Sequence, residues 1–320
     1  MSDWIVKFKT GGHLQKRIKQ KYMIKYPKTG QFRNAIQDVL KNYGGVKLNF
    51  ECSIKAHGTN AGIVFYPSGV EYQSRERVLT LEQDNAGFMQ AMVNKDLTFM
   101  TKYLFDENIV VYGEWCGGNI QKGVALTQLK EKIFIIFQVL VDGVSVPFKS
   151  IKDHEQGIYN IYDFPTSEIM IDFSNPIEVQ NHLIELTTIV EDECPIGTYF
   201  GISGIGEGLV LRCIEHPEIV FKSKGEKHSV SQVKVLNSVD PDKLKSVDEF
   251  INYSVTEQRL NQGLENVEVK LENTGAYIKW VVQDIISEES DVLENSQLTI
   301  KDVQKVISTK AATFFKSKLV

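Results

Sequence analysis

Cysteine is scarce in this 320-residue chain: Cys52, Cys116, Cys194 and Cys213 are the only thiols, and none sits in a CxxC pair. That spacing excludes a zinc ribbon or knuckle. Long apolar runs are missing as well. The longest, Ile133 to Leu140, has the length of a strand and contains Gln138, so no membrane span is expected. An excess of positive charge is also missing, because the formal net charge is -5. The whole chain therefore lacks the profile of a general nucleic-acid binder, although a local basic face is compatible with that total. There is no signal-peptide pattern, internal repeat or low-complexity segment, and the widely spaced thiols are expected to stay reduced in a cytoplasmic setting. The length suits two domains, or one large domain with an appendage, and a core that needs no covalent staples; a monomer is expected.

From Lys7 to Arg33 the chain carries lysines and arginines with no acid between them. Such a stretch is either a solvated edge or part of a surface that follows phosphates. Phe32, Ile36, Val39 and Leu40 fall at helical spacing, and Gly44-Gly45 ends that helix. An extended run from Val46 to Ile54 follows. Ile63 to Tyr66, Pro67-Ser68-Gly69 and Val70 to Tyr72 read as a hairpin. Phe88, Met92 and Leu97 to Leu104 suggest helix, and strands are expected at Ile109 to Tyr112 and Ile133 to Leu140. Asn175-Pro176 starts a helix whose apolar face is Val179, Leu183, Leu186 and Val190. Two more strands are expected at Gly208 to Cys213 and Glu218 to Phe221.

Beyond about Pro241 strand signals fade. Asp240-Pro241 reads as a helix start, and Tyr277, Trp280, Val281, Ile285 and Ile286 sit at helical spacing. Thr299 to Asp302 has the form of a capping box. These patterns predict an α+β architecture with residues 1–235 as the main domain and 236–320 as a small helical one, the boundary falling near 230–240.

Lys55 lies directly after a strand in the polar loop Lys55-Ala56-His57-Gly58-Thr59-Asn60. Alone, a lysine there is usually surface. Other features change its meaning: Ser74-Arg75 at a strand end, Glu114 in Tyr112-Gly113-Glu114-Trp115, Glu207 at the head of a strand, and Lys222 and Lys224 on one side of an extended segment. An amine must be unprotonated to attack phosphorus, and nearby cations favour that state. Lys222, Lys224, Arg75 and a bound Mg²⁺ would supply them, and the same charges would stabilise phosphate oxygens. Glu114 and Glu207 are hard oxygen ligands suited to Mg²⁺. Phe137 or Phe134 can stack on a purine.

In order, Lys55-Ala56-His57-Gly58, Ser74-Arg75, Tyr112-Gly113-Glu114-Trp115, Phe134-Ile135-Ile136-Phe137, Glu207-Gly208-Leu209-Val210 and Phe221-Lys222-Ser223-Lys224 resemble the motifs of the covalent nucleotidyltransferase superfamily. That group holds RNA ligases, DNA ligases and mRNA capping enzymes. The KxHGTN form resembles the RNA ligase 2-like family, common in phages, over roughly residues 30–225. The resemblance implies a nucleotidyltransferase (ATP-grasp-like ligase) domain of antiparallel sheets with flanking helices. It implies ATP and Mg²⁺ or Mn²⁺ as cofactors, RNA ends as the partner, and the host cytoplasm as the place if the chain is viral.

Carried over, Lys55 would take AMP as a phosphoramidate. Arg75 and Glu114 would contact the sugar, Phe137 would stack on adenine, and His57 and Asn60 would shape the pocket. Glu114 and Glu207 would hold metal, and Lys222 and Lys224 would contact the α-phosphate. Arg77 stays open beside Arg75, and Phe134 beside Phe137. The chain departs from many relatives in having Ile54, not a glutamate, before the lysine; Glu51 lies farther back.

Alternatives are a DNA or dual-specificity end-joining ligase, a capping guanylyltransferase, or a nucleic-acid-binding protein without chemistry. The helical reading of residues 240–320 argues against the OB-fold that follows the last motif in capping enzymes and most DNA ligases. A dinucleotide fold at Gly204 to Gly208 is excluded, because strand rather than helix follows the glycines.

Overall fold

The computed structural model describes residues 23–24, 26, 29–101, 108–118, 120–225 and 247–319. Most of the basic N-terminal stretch, the boundary expected near 230–240 and the Asp240-Pro241 helix start lie outside the described residues.

In chain order the first unit contains β1 (Gly30–Gln31), α1 (Phe32–Tyr43), β2 (Lys47–Ile54), β3 (Thr59–Tyr66), β4 (Gly69–Ser74), α2 (Phe88–Met92), β5 (Ile109–Cys116), β6 (Ile133–Val141), β7 (Val144–Val146), β8 (Ile158–Asn160), β9 (Thr166–Asp172), α3 (Pro176–Asp192), α4 (Pro195–Tyr199), β10 (Gly208–Cys213) and β11 (Val220–Lys224). One five-stranded sheet has the order β1-β11-β10-β2-β9. The other runs β4-β3-β5-β6-β7, with β8 beside β6. Pairing is antiparallel except between β1 and β11 and between β6 and β8. The second unit holds α5 (Val247–Ser254), α6 (Glu257–Asn266), α7 (Thr274–Glu288), α8 (Ser290–Asn295) and α9 (Ile300–Lys316), with no strand among its described residues.

Period-two alternation explains the first sheet. Leu48, Phe50, Cys52 and Ile54 of β2 point one way, and Leu209, Leu211 and Cys213 of β10 and Phe221 of β11 join them in one core with α1 and α3. The intervening residues Glu51, Ser53, Val210, Arg212, Lys222 and Lys224 are left on the opposite face, where they line a cavity. On β6 a register shift opposite Tyr112 and Gly113 resets the alternation. Phe134 and Ile136 then share a core with Val139 and Val141, while Ile135 and Phe137 face the cavity. Such a bulge re-aims side chains without ending the strand.

The expected hairpin forms, with Tyr66 paired to Gly69. Residues 102–104 of the helix expected from Phe88 to Leu104 lie outside the described residues, and the described part is shorter. It stops at Met92, and a 3₁₀ turn occupies Thr98–Met100. Asp96 starts that turn: its carboxylate accepts from the Thr98 amide at 3.0 Å and from its hydroxyl at 2.7 Å, a local arrangement that competes with helix. α3 begins at Pro176 as expected, with Leu183 and Val190 buried. Thr299 donates its amide to Asp302 at 2.7 Å at the head of α9.

A buried ionic network joins the units. Arg33 of α1 reaches Glu289 at 2.8 Å and Asp291 at 3.0 Å. Glu289 also accepts from Arg259 at 2.9 Å and from the Tyr253 hydroxyl at 2.9 Å. Arg259 and Glu289 have no exposed side-chain surface. Removing one partner of such a pair strands the other charge. Glu289→Ala should lower unfolding free energy by roughly 3–5 kcal/mol, seen in urea melts as a lower midpoint with unchanged slope.

Candidate active site

A cavity of about 350 Å³ lies over the polar face of the first sheet. It is bounded by β2, β10 and β11, by β3, β5 and β6 of the second sheet, and by α6 and α7 of the helical unit. Lys55, His57, Asn60, Arg75, Glu114, Phe137, Glu207, Lys222 and Lys224 all line it.

Glu207 is the hub. Lys55 Nζ donates to its Oε2 at 2.7 Å, and His57 Nδ1 lies 2.9 Å from the same oxygen. Lys224 Nζ is 3.1 Å from Oε1. Burial alone would raise this carboxyl, but Lys55 and Lys224, with His57, hold it well below the usual range. Gly208 makes the position possible. Its φ is +143°, and a Cβ there would come within 2.1 Å of the Ser223 carbonyl. The Gly208 carbonyl accepts from the Lys55 amide at 2.8 Å, so the lysine and the glutamate are fixed by the same backbone.

Gly58 seats the loop against β5. A Cβ there would meet the Trp115 carbonyl at 2.3 Å. Beneath it, burial pushes the Glu114 carboxyl up to about 7; Glu207 pushes the same way, while Lys55 and His57 pull back. Asn60 is the cross-strand partner of Glu114, and its carbonyl accepts from Asn85 at 3.1 Å.

The two open pairs separate in space. Arg75 lines the cavity, whereas Arg77 is turned to the Asp84 carbonyl at 3.0 Å. Phe137 lines the cavity and meets Tyr26 edge-on, with ring centroids 4.9 Å apart; Phe134 is fully buried against Phe88. Ile54 points into the core and Glu51 into the cavity, where the Tyr162 hydroxyl donates to it at 3.0 Å.

The helical unit adds residues that the sequence motifs do not contain. Trp280, Asp284 and Glu288 of α7 and Gln262 and Asn266 of α6 line the same cavity. Glu288 takes Lys222 Nζ at 2.7 and 2.8 Å. Despite that partner, burial and the neighbouring Lys224 push Lys222 down to about 8. The signal was available: 280, 284 and 288 form one i, i+4 row beside the apolar row 277, 281 and 285.

No group of three or more His, Cys, Asp or Glu side chains is placed to hold a metal among the described residues. The chemistry of Glu114 suits a divalent ion all the same. Glu114 is a buried acid made reluctant to ionise by burial and by Glu207, a penalty that a cation relieves, and Mg²⁺ commonly takes one or two carboxylates plus phosphate oxygens and water.

The family described as RNA ligase matches residues 49–291, from β2 through α7 into α8. The chain belongs to the RNA ligase family. The match therefore takes in both the Lys55 side of the cavity and the α6–α7 side. Among solved structures, the chain is similar to a mutant of the Naegleria gruberi RNA ligase with AMP and Mn, at 17% identity and a TM-score of 0.47. It is also similar to that ligase with pyrophosphate, at 18% identity and a TM-score of 0.45. Both alignments cover 63% of this chain and 56% of the other, so the chain spans just over half the length of that ligase. No curated protein matches the chain. No described helix is long and apolar enough to cross a membrane.

Lys222 gives this site a pH signature. Its ammonium is present below about 8 and is lost as pH rises through that value, so anion affinity should fall there. Calorimetric titration with inorganic pyrophosphate should show several-fold weaker binding at pH 9 than at pH 7. Lys222→Arg, which stays charged, should flatten the difference.

Proposed function

We propose that the chain is an ATP-dependent RNA ligase that joins 3′-hydroxyl and 5′-phosphate ends through AMP bound to Lys55 and then to the 5′ end. The observation that carries this reading is the Lys55–Glu207–Lys224 cluster, set in a cavity that also presents Phe137 and Lys222, in a member of the RNA ligase family.

Phe137 and Val210 line the cavity from different sheets, and this reading gives them the two faces of the purine. Arg75 and Glu114 stand at the ribose side of that reading. Lys222 and Lys224 neutralise the α-phosphate and the departing pyrophosphate, and incoming phosphate competes with Glu288 for Lys222. The Lys55 amine sheds a proton, attacks the α-phosphorus, and the bond to pyrophosphate breaks. Glu207 aims the amine beforehand through its 2.7 Å contact. Glu114 and Glu207 would hold Mg²⁺ or Mn²⁺, which supplies further charge against the triphosphate when bound. AMP then passes to a 5′-phosphate, and a 3′-hydroxyl displaces it.

RNA is favoured over DNA by the family and by the His57-bearing loop. A helical unit, and no strand, also occupies described residues 247–319, where capping enzymes and most DNA ligases would carry an OB-fold.

Nick-sealing assays with RNA, DNA and mixed termini, run with ATP or GTP, test the reading. Sealing with ATP at RNA termini is expected; labelling by GTP alone, or sealing of DNA termini alone, would contradict it. Lys55→Ala should abolish AMP labelling while a cooperative unfolding transition persists, since Glu207 retains Lys224 and His57.

A further inference from the structure

A strand-sealing site must hold two nucleosides about a pair of joined phosphates, one from AMP and one from the strand end. The cavity offers aromatic rings on different walls: Phe137 from β6, with Tyr26 against it, and Trp280 from α7. We infer that the helical unit carries the subsite for the terminal nucleoside of the 5′-phosphorylated RNA strand, with Trp280 stacking on its base beside the amides of Gln262 and Asn266.

The placement supports a ligand wall more than a packing role. Trp280 only borders the helical core, whereas Tyr277 and Val281 beside it are buried within it. Its ring rests on Gly263, where a Cβ would come within 3.2 Å of the indole, so α6 approaches closely and supports the ring from behind. Gln262 and Asn266 are one turn apart on α6 and share its cavity face. The Gln262 side-chain oxygen is buried without a protein hydrogen-bond partner, an arrangement that costs stability unless a ligand donates to it.

Two helical turns separate Trp280 from Glu288, roughly 12 Å along the axis. Glu288 marks the phosphate end through Lys222. A nucleoside reaching from that phosphate runs along the 288-284-280 row toward the indole. Stacking on an aromatic ring tolerates any base, as an enzyme acting on varied ends requires.

The inference rests on the ligase reading, and the test separates the two. Trp280→Ala, Trp280→Phe and the Gln262→Ala/Asn266→Ala pair are compared with the full-length protein in two assays: AMP labelling of the enzyme, and AMP transfer to a 5′-phosphorylated oligoribonucleotide. Enzyme labelling should stay within about twofold, while Trp280→Ala raises the half-saturating RNA concentration by roughly tenfold and Trp280→Phe by less. In parallel, the 5′-phosphorylated oligonucleotide should quench indole fluorescence in the wild type and not in Trp280→Phe. The subsite is overturned by an unchanged RNA half-saturation with unchanged quenching. It is equally overturned by a matched loss of enzyme labelling, which would assign Trp280 to ATP. A wild-type chain that never takes AMP would overturn the ligase reading instead, and the quenching comparison would still decide whether Trp280 holds the strand end.

Discussion

Everything at this site depends on one buried carboxylate kept charged. Glu207 has almost no exposed surface, and it is ionised because Lys55, Lys224 and His57 surround it. A lone charge there would cost several kcal/mol. The cluster therefore locks three strands and a loop together: β10 through Glu207 and Gly208, β11 through Lys224, and β2 with its following loop through Lys55 and His57. The Lys55 amine is aimed by the same contacts that hold the sheet edge in place.

Charge balance extends outward from that hub. Lys222, next but one along β11 from Lys224, would be left among like charges without Glu288. Glu288 comes from α7, whose end is fastened to α1 through Arg33, Glu289 and Asp291. The helical unit thus forms the remaining wall of the cavity, and its carboxylate stands against a lysine assigned to phosphate. On the proposed reading, nucleotide entry exchanges one anion for another at Lys222, so no bare cation is exposed.

The sheet-built half of this arrangement was legible because strands have period two. Lys222 and Lys224 had to share a face, and Glu207 at the head of an apolar strand had to meet them. The α1 helix, the hairpin at Gly69 and the α9 cap also follow from local spacing. Two choices were not decidable from spacing. Arg75 and Arg77 are both two-residue neighbours at a strand end, and only the loop carrying Asp84 separates them. Phe134 and Phe137, three residues apart, fall on opposite faces by alternation alone, but alternation does not say which face meets the cavity. β9 escaped notice as an edge strand on which Ile171 alone is fully buried. The residues of α6 and α7 escaped because Trp280 looks like a member of the apolar stripe, and its row becomes visible only when Asp284 and Glu288 are read with it.

The central claim is that Lys55 carries the nucleotide. Its most direct test is peptide mapping by mass spectrometry after the full-length protein has been incubated with ATP and Mg²⁺ and then denatured. An adenylate on the peptide containing Lys55, released by acid and stable to alkali as a phosphoramidate, is the result expected. An adenylate on Lys222, Lys224 or another residue, with Lys55 unmodified, would contradict the account.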